Sequence, residues 1–122
     1  MSDDVSADES AAEAAVRAYY AAYNGRPELF DTAVAADYVD YGHNPPGHGP
    51  QGARDDYEHA VAAVGGVSTY DIDALVAGGD TVAVVWTGHL PDGRTARGLS
   101  LHGVRGGKVS WTRHTAIGAP PS

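Results

Sequence analysis

The chain has 122 residues, no cysteine, and sixteen acidic against eight basic residues, for a net charge of −8. That length suits one domain, residues 1–122 with flexible ends at 1–5 and 118–122, and the missing cysteines exclude disulfides and thiolate metal sites. Acidity argues against nucleic-acid and anionic-membrane partners, no apolar run approaches the ~20 residues of a membrane span, and the acidic Met-Ser-Asp-Asp start is unlike a signal peptide, so a cytoplasmic protein is expected.

Ser6-Ala7-Asp8-Glu9 has the form of a capping box and predicts a helix from Ser6 to the Asn24-Gly25 stop. Ala12, Val16, Tyr19 and Tyr23 fall on one stripe of it, with Tyr20 beside them. Pro27 suits the first turn of a short second helix with Leu29, Phe30, Ala33 and Val34 on its buried side. Tyr38 to Tyr41, aromatic and β-branched, reads as a strand. Three prolines and four glycines between Gly42 and Gly52 predict a loop, followed by a third helix from Ala53 to Val64.

Beyond Gly65-Gly66 the apolar period changes from helical to alternating. Ser68 to Ala77 predicts a strand with Tyr70, Ile72, Ala74 and Val76 on one face. Val82-Ala83-Val84-Val85-Trp86 reads as a central strand covered on both faces. Pro91-Asp92-Gly93 and Gly106-Gly107 are hairpin turns, so Arg94–Val104 and Lys108–Ile117 complete an antiparallel meander, and a tail follows. Helices followed by a meander form an α+β pattern, a cone of curved antiparallel sheet whose open end is a natural small-molecule pocket.

The last hairpin carries the most chemistry. Side chains two apart on a strand point the same way, so Ser100 pairs with His102 on one strand and Thr112 with His114 on the next. If both faces line one concavity, two imidazoles with an unperturbed pKa of ~6.5 stand ready as general acid and base. The plainer reading is a pair of ordinary strand histidines. His48, His59 and His89 read as exposed. No compact metal motif such as H-E-x-x-H and no phosphate-binding fingerprint is present, so neither metal nor cofactor is expected.

Several segments resemble the SnoaL-like polyketide cyclases of the nuclear transport factor 2-like superfamily. They are Asp37-Tyr38-Val39-Asp40-Tyr41, His43-Asn44-Pro45 and Gly49-Pro50-Gln51-Gly52, then Gly78-Gly79-Asp80-Thr81 through Thr87, Gly98-Leu99-Ser100-Leu101-His102 and Arg105-Gly106-Gly107-Lys108-Val109. The resemblance runs from about residue 8 to 117. It implies a cystatin-like α+β barrel, three helices against the sheet, a homodimer formed through the outer sheet face, and cofactor-free acid/base work on a small apolar molecule. Relatives include cyclases, ketosteroid isomerase, limonene epoxide hydrolase, scytalone dehydratase and non-catalytic binders. The chain departs from the cyclase pattern at Ser100, where those enzymes carry an acid/base aspartate, and at His102, where they carry an apolar aromatic. His114 stands where the epoxide hydrolases have aspartate.

Two functions follow as expectations. One is an enzyme of cyclase, isomerase or dehydratase type on a small hydrophobic carbonyl or polyketide-like compound, with His102 and His114 exchanging protons while Ser100 and one first-helix tyrosine among Tyr19, Tyr20 and Tyr23 polarise the carbonyl. Tyr19, Tyr23, Tyr41, His43, Asn44, Trp86 and Thr112 would complete its binding surface. The other is a non-catalytic binding or dimerisation module, with Ser100 as the mark of lost chemistry.

Overall fold

In the computed structural model, which describes residues 3–42 and 45–117 with side chains from Ser10 onward, the alanine-rich start of the chain forms α1, Asp3–Tyr23. The helix is already under way at Asp3, so the expected start at Ser6 is three residues late. Ala12, Ala15, Val16, Tyr19, Tyr20 and Ala22 are its buried side, a stripe of alanines and rings that lets the helix lie close against the sheet. Gly25, at φ +111°, releases the chain from the helix. Asn24 adds a tertiary clamp: its side-chain amide donates to the Tyr70 carbonyl at 3.1 Å and its oxygen accepts from the Tyr70 N–H at 2.6 Å.

A tight turn of 3-10 helix, Pro27–Leu29, leads into α2, Phe30–Ala33, and then directly into β1, Val34–Asp40. Val34 belongs to the strand and not to the helix, with φ −115° and ψ 137°, in keeping with its β-branched side chain. Phe30 and Tyr38 are fully buried, each contributing about 1.5–3 kcal/mol by leaving water. The proline-rich stretch is not a loop throughout. Gly47–His48 forms the short β2, and α3 runs Gly49–Val64, four residues earlier than expected. Pro50 sits in its first turn, where a missing N–H costs no helical hydrogen bond. Gly65 closes α3 in the left-handed conformation, φ 76°. Gly49, Ala53 and Tyr57 are buried on α3, while Val64 at its end is exposed.

The remaining strands are β3 (Thr69–Gly78), β4 (Thr81–His89), β5 (Thr95–Arg105) and β6 (Lys108–Ala116), in the sheet order β2-β1-β6-β5-β4-β3. The sheet is therefore mixed, not wholly antiparallel: β1 runs parallel to β6, because the chain crosses by way of α3 to the far edge and the meander returns to β1. It is curved but unclosed, with β2 and β3 as free edges, so the expected barrel is a half-open one. Three helices pack on its concave face.

A bulge in β3 corrects the expected alternation. Ile72 pairs with Trp86 and Ala74 with Val85, leaving Asp73 as the extra residue. Tyr70 and Ile72 face inward as expected, but beyond the bulge Leu75 and Ala77 take the inner face. Ala74 and Val76 turn out, the latter 67% exposed. Strand β4 is not central but one in from the β3 edge, and of its apolar run only Val82 and Val84 are fully buried; Ala83 and Val85 on its outer face are half-buried beside exposed Leu99 and Leu101. Among the described residues Leu99 and Leu101 leave that face open.

Candidate functional site

Cross-strand register brings the chemistry of the last hairpin together. His102 lies opposite Thr112 and Ser100 opposite His114, with all four side chains on the concave face. On the other flank of β5, Ser100 faces Val84 and Gly98 faces Trp86. Gly98 is what admits the indole: a Cβ there would run into the Trp86 ring. Lying across the glycine, Trp86 reaches Ser100 and donates Nε1–H to its Oγ at 2.8 Å. Gly98→Ala is expected to cost about 1–3 kcal/mol by overpacking, read as a lower melting temperature together with a shifted tryptophan emission as Trp86 leaves Ser100.

These residues open onto a cavity of about 220 Å3 between α1, α3 and the sheet. Helix α1 supplies Tyr19, Tyr20 and Tyr23, and α3 supplies Asp56 and Ala60. The sheet contributes Asp40, Tyr70, Trp86, Ser100, His102, Thr112 and His114. Seven of the residues singled out from the sequence are thus gathered in one place: His102, His114, Ser100, Tyr19, Tyr23, Trp86 and Thr112. Tyr41 is elsewhere. It is 48% exposed, and the Arg113 guanidinium sits 4.2 Å above its ring. His43 and Asn44 lie outside the described residues, as does the tail from Gly118. His48, His59 and His89 are exposed as expected, His89 at 2.8 Å from Asp71.

His102 is the buried centre of the site, with no exposed surface. Its Nε2 is 3.0 Å from the Tyr20 hydroxyl and its Nδ1 2.8 Å from the Thr112 hydroxyl. Burial, helped by the neighbouring His114, pushes its pKa down to about 3, because a dry site disfavours the cation. An imidazole so held stays neutral near pH 7. The expectation that His102 titrates near its unperturbed value is therefore not met, and its role here is hydrogen bonding through one N–H and one lone pair.

Phenols behave likewise. Burial raises the pKa of Tyr19, Tyr20, Tyr23 and Tyr38, with Asp40 adding to the rise at Tyr19, Tyr23 and Tyr38. Every one remains a protonated donor. Tyr19 and Tyr38 join hydroxyls at 2.9 Å. Tyr20 also meets the Ser100 hydroxyl, a contact that favours its ionised form and only partly offsets burial.

Asp40, Asp56 and Tyr70 were not among the site residues expected from the sequence, and the structure picks Tyr20 out of the three first-helix tyrosines as the partner of His102. Asp40 is 1% exposed and ends β1, opposite Thr112 of β6; its Oδ1 accepts the Gly42 N–H at 2.8 Å. A period of two counted from Tyr38 would have placed Asp40 inward and Tyr41 outward. Asp56 and Ala60 share a face of α3 one turn apart, but nothing local signals that this face meets the pocket. Among the described residues no three His, Asp or Glu side chains are grouped to hold a metal ion, and no helix is long and apolar enough to cross a membrane.

Comparison with known proteins agrees with this architecture. A structure with a cystatin-like fold and unknown function from Methylobium petroleophilum superposes with a TM-score of 0.77 at 20% identity, covering 93% of this chain and 80% of the other. A candidate ketosteroid isomerase from Kribbella flavida gives 0.77 at 23% identity, with 94% and 85% covered. A candidate polyketide cyclase from Bacillus cereus gives 0.70 at 21% identity, with 84% and 71% covered. No curated protein matches the chain. Residues 16–112 match the model of the SnoaL-like domain. Since that match spans most of the chain and the fold agrees with it, the protein belongs to the SnoaL-like domain family.

Proposed function

We propose that the pocket performs acid/base chemistry without a cofactor, moving a proton at the carbon beside a carbonyl, as an isomerase or cyclase of small hydrophobic carbonyl compounds. The observation that carries this reading is a buried carboxyl, Asp40, opening onto the same cavity as a hydrogen-bonded phenol, Tyr20. Trp86 feeds Ser100, leaving the serine hydrogen to donate to the Tyr20 oxygen. With Thr112 donating to Nδ1 of His102, Nε2–H donates to the same oxygen. The phenol hydrogen is then left for the ligand, sharpened as a donor by the two bonds its oxygen accepts. Such a donor stabilises the oxyanion that forms when Asp40 removes a neighbouring proton. His114, at the exposed rim, returns a proton from the solvent side.

A cavity of about 220 Å3 is smaller than the roughly 300–1,000 Å3 of most ligand pockets, which favours compact substrates over multi-ring ones. The exposed apolar strip of Val76, Leu99 and Leu101 on the outer sheet face supports a homodimer that covers it.

The test is deuterium wash-in. Small hydrophobic ketones are held with the protein in deuterated buffer and followed by mass spectrometry. Protein-dependent incorporation at one face of the carbon beside the carbonyl supports the reading. Incorporation no faster than with heat-denatured protein, for every ketone, overturns it. One observation favours a binder without chemistry: both ring nitrogens of His102 are engaged within the protein. That reading expects ketones to bind with no wash-in.

A further inference from the structure

The inner face of the sheet is nearly bare toward one end of β4 and β5. Cross-strand pairing sets Gly88 opposite Ala96 and Trp86 opposite Gly98, and alternation along the strands puts all four on the concave side. Around Trp86 the floor of β4 and β5 is therefore two glycines and an alanine. Yet Gly88 and Gly98 are both buried, and rings are what bury them. A Cβ on Gly98 would run into the six-membered ring of Trp86, and one on Gly88 would lie 3.5 Å from Cζ3 of the same ring and 3.1 Å from the Tyr70 ring. The indole thus lies across one glycine and reaches the edge of the next. It is also held there. Its Nε1–H donates to Ser100 Oγ at 2.8 Å, and the Tyr70 ring packs against it at 84°, centroids 5.4 Å apart. A side chain bonded on one side and packed on the other is a wall and not a flap.

We propose that Trp86 is the specificity-determining residue of this pocket: its indole, laid over Gly98 and Gly88, limits the ligand to the size of a single ring. That the ligand is a carbonyl compound rests on the acid/base reading above; the size limit does not. Trp86 has the largest side chain among those lining the cavity of about 220 Å3, so it takes more of the space than any other. What lies beneath it decides whether that space can be recovered. Truncating a wall residue that is backed by other side chains lets them relax into the gap. The glycines under Trp86 have no side chain to move, so a shorter residue there opens space continuous with the cavity. An apolar space so opened stays dry and takes up apolar groups. Ligand size is thus set at one position of β4, by a large residue over small ones.

The experiment is a protein-observed NMR titration with one-ring and two-ring probes of matched chemistry: cyclohexanone with decalone, and cyclohexanol with decalol. Added apolar area alone would make each two-ring probe bind more tightly. Wild-type protein is expected to reverse that order, binding the two-ring probe at least about tenfold more weakly than its one-ring counterpart. The one-ring probes should shift the indole N–H resonance of Trp86 and leave that of Trp111, on the outer face, in place. In Trp86→Val, which keeps a residue suited to a strand, the two-ring probes gain at least about tenfold and the one-ring probes change by a few-fold. Trp86→Phe falls between the two. Phenylalanine lacks the N–H just as valine does, so a graded response assigns the effect to volume and not to the bond with Ser100. A folded Trp86→Val that keeps the wild-type order overturns the proposal. So does wild-type binding of the two-ring probes as tight as that of the one-ring probes, a Trp86 N–H that ignores a bound one-ring probe, or no binding by any of the four; none of these needs a variant to fold. The two readings fail separately: a size limit without wash-in removes the acid/base function and keeps the role of Trp86, whereas wash-in without a size limit does the reverse.

Discussion

Asp40→Asn is expected to slow deuterium wash-in into a bound ketone by about 10²–10⁴-fold. The substitution keeps the volume of the side chain and an oxygen able to accept from Gly42 N–H, so the turn after β1 is preserved. What it removes is the capacity to take a proton. Binding of neutral ketones should change by no more than a few-fold, since the rings and the Tyr20 donor are untouched, and the loss therefore falls on turnover and not on affinity. A wash-in rate within threefold of wild type would sink the assignment of Asp40 and move attention to His114. The removal of Tyr20's hydroxyl, by contrast, should weaken both binding and turnover, because that donor meets the carbonyl in the ground state as well as in the transition state.

The second large effect is on stability in acid. Folded protein keeps His102 neutral down to about pH 3, while an exposed imidazole takes up its proton near pH ~6.5. Between those values the unfolded chain binds the extra proton, so the contribution of His102 is fully present above pH ~6.5 and is lost as pH falls toward the folded value, by about 1.4 kcal/mol per pH unit. From pH 7 to pH 5 this amounts to about 2 kcal/mol. His102→Gln has no such proton to gain. Denaturant unfolding of both proteins at pH 7 and pH 5 isolates the site, since other titrating groups cancel in the difference. Wild type should lose about 2 kcal/mol more than the variant over that interval. A difference that does not change with pH would mean that His102 is open to water, and the chain from Thr112 through His102 to Tyr20 would have to be abandoned with it.

How much of this was legible beforehand depends on the kind of information each feature needs. Side-chain parity along a strand is local, so Ser100 with His102 and Thr112 with His114 could be placed on common faces from the sequence. Setting them opposite one another takes a register shift between Gly103 and Val104, without which His102 would face Trp111, and the turn at Gly106-Gly107 does not encode that shift. The helical stripe of α1 was legible for the same reason: it needs only the spacing of Ala12, Val16 and Tyr19. Composition misled in the Gly42–Gly52 stretch, because Pro50 marks a helix start as readily as a loop. In β3 a single extra residue at Asp73 reversed the alternation beyond it, and no residue type announces a bulge.

The sequence by itself determined the family, the α+β order of elements, and the common strand faces of Ser100 with His102 and of Thr112 with His114, all of which rest on spacing along the chain. Only the tertiary structure decided the ionisation of His102, because the pKa of an imidazole is set by how much water and charge surround it. Only it brought Asp40 at the end of β1 and Asp56 on α3 to the same cavity as the tyrosines of α1. Those residues come from segments tens of positions apart, and their convergence depends on the parallel pairing of β1 with β6 and the crossing of α3. No local period encodes that geometry.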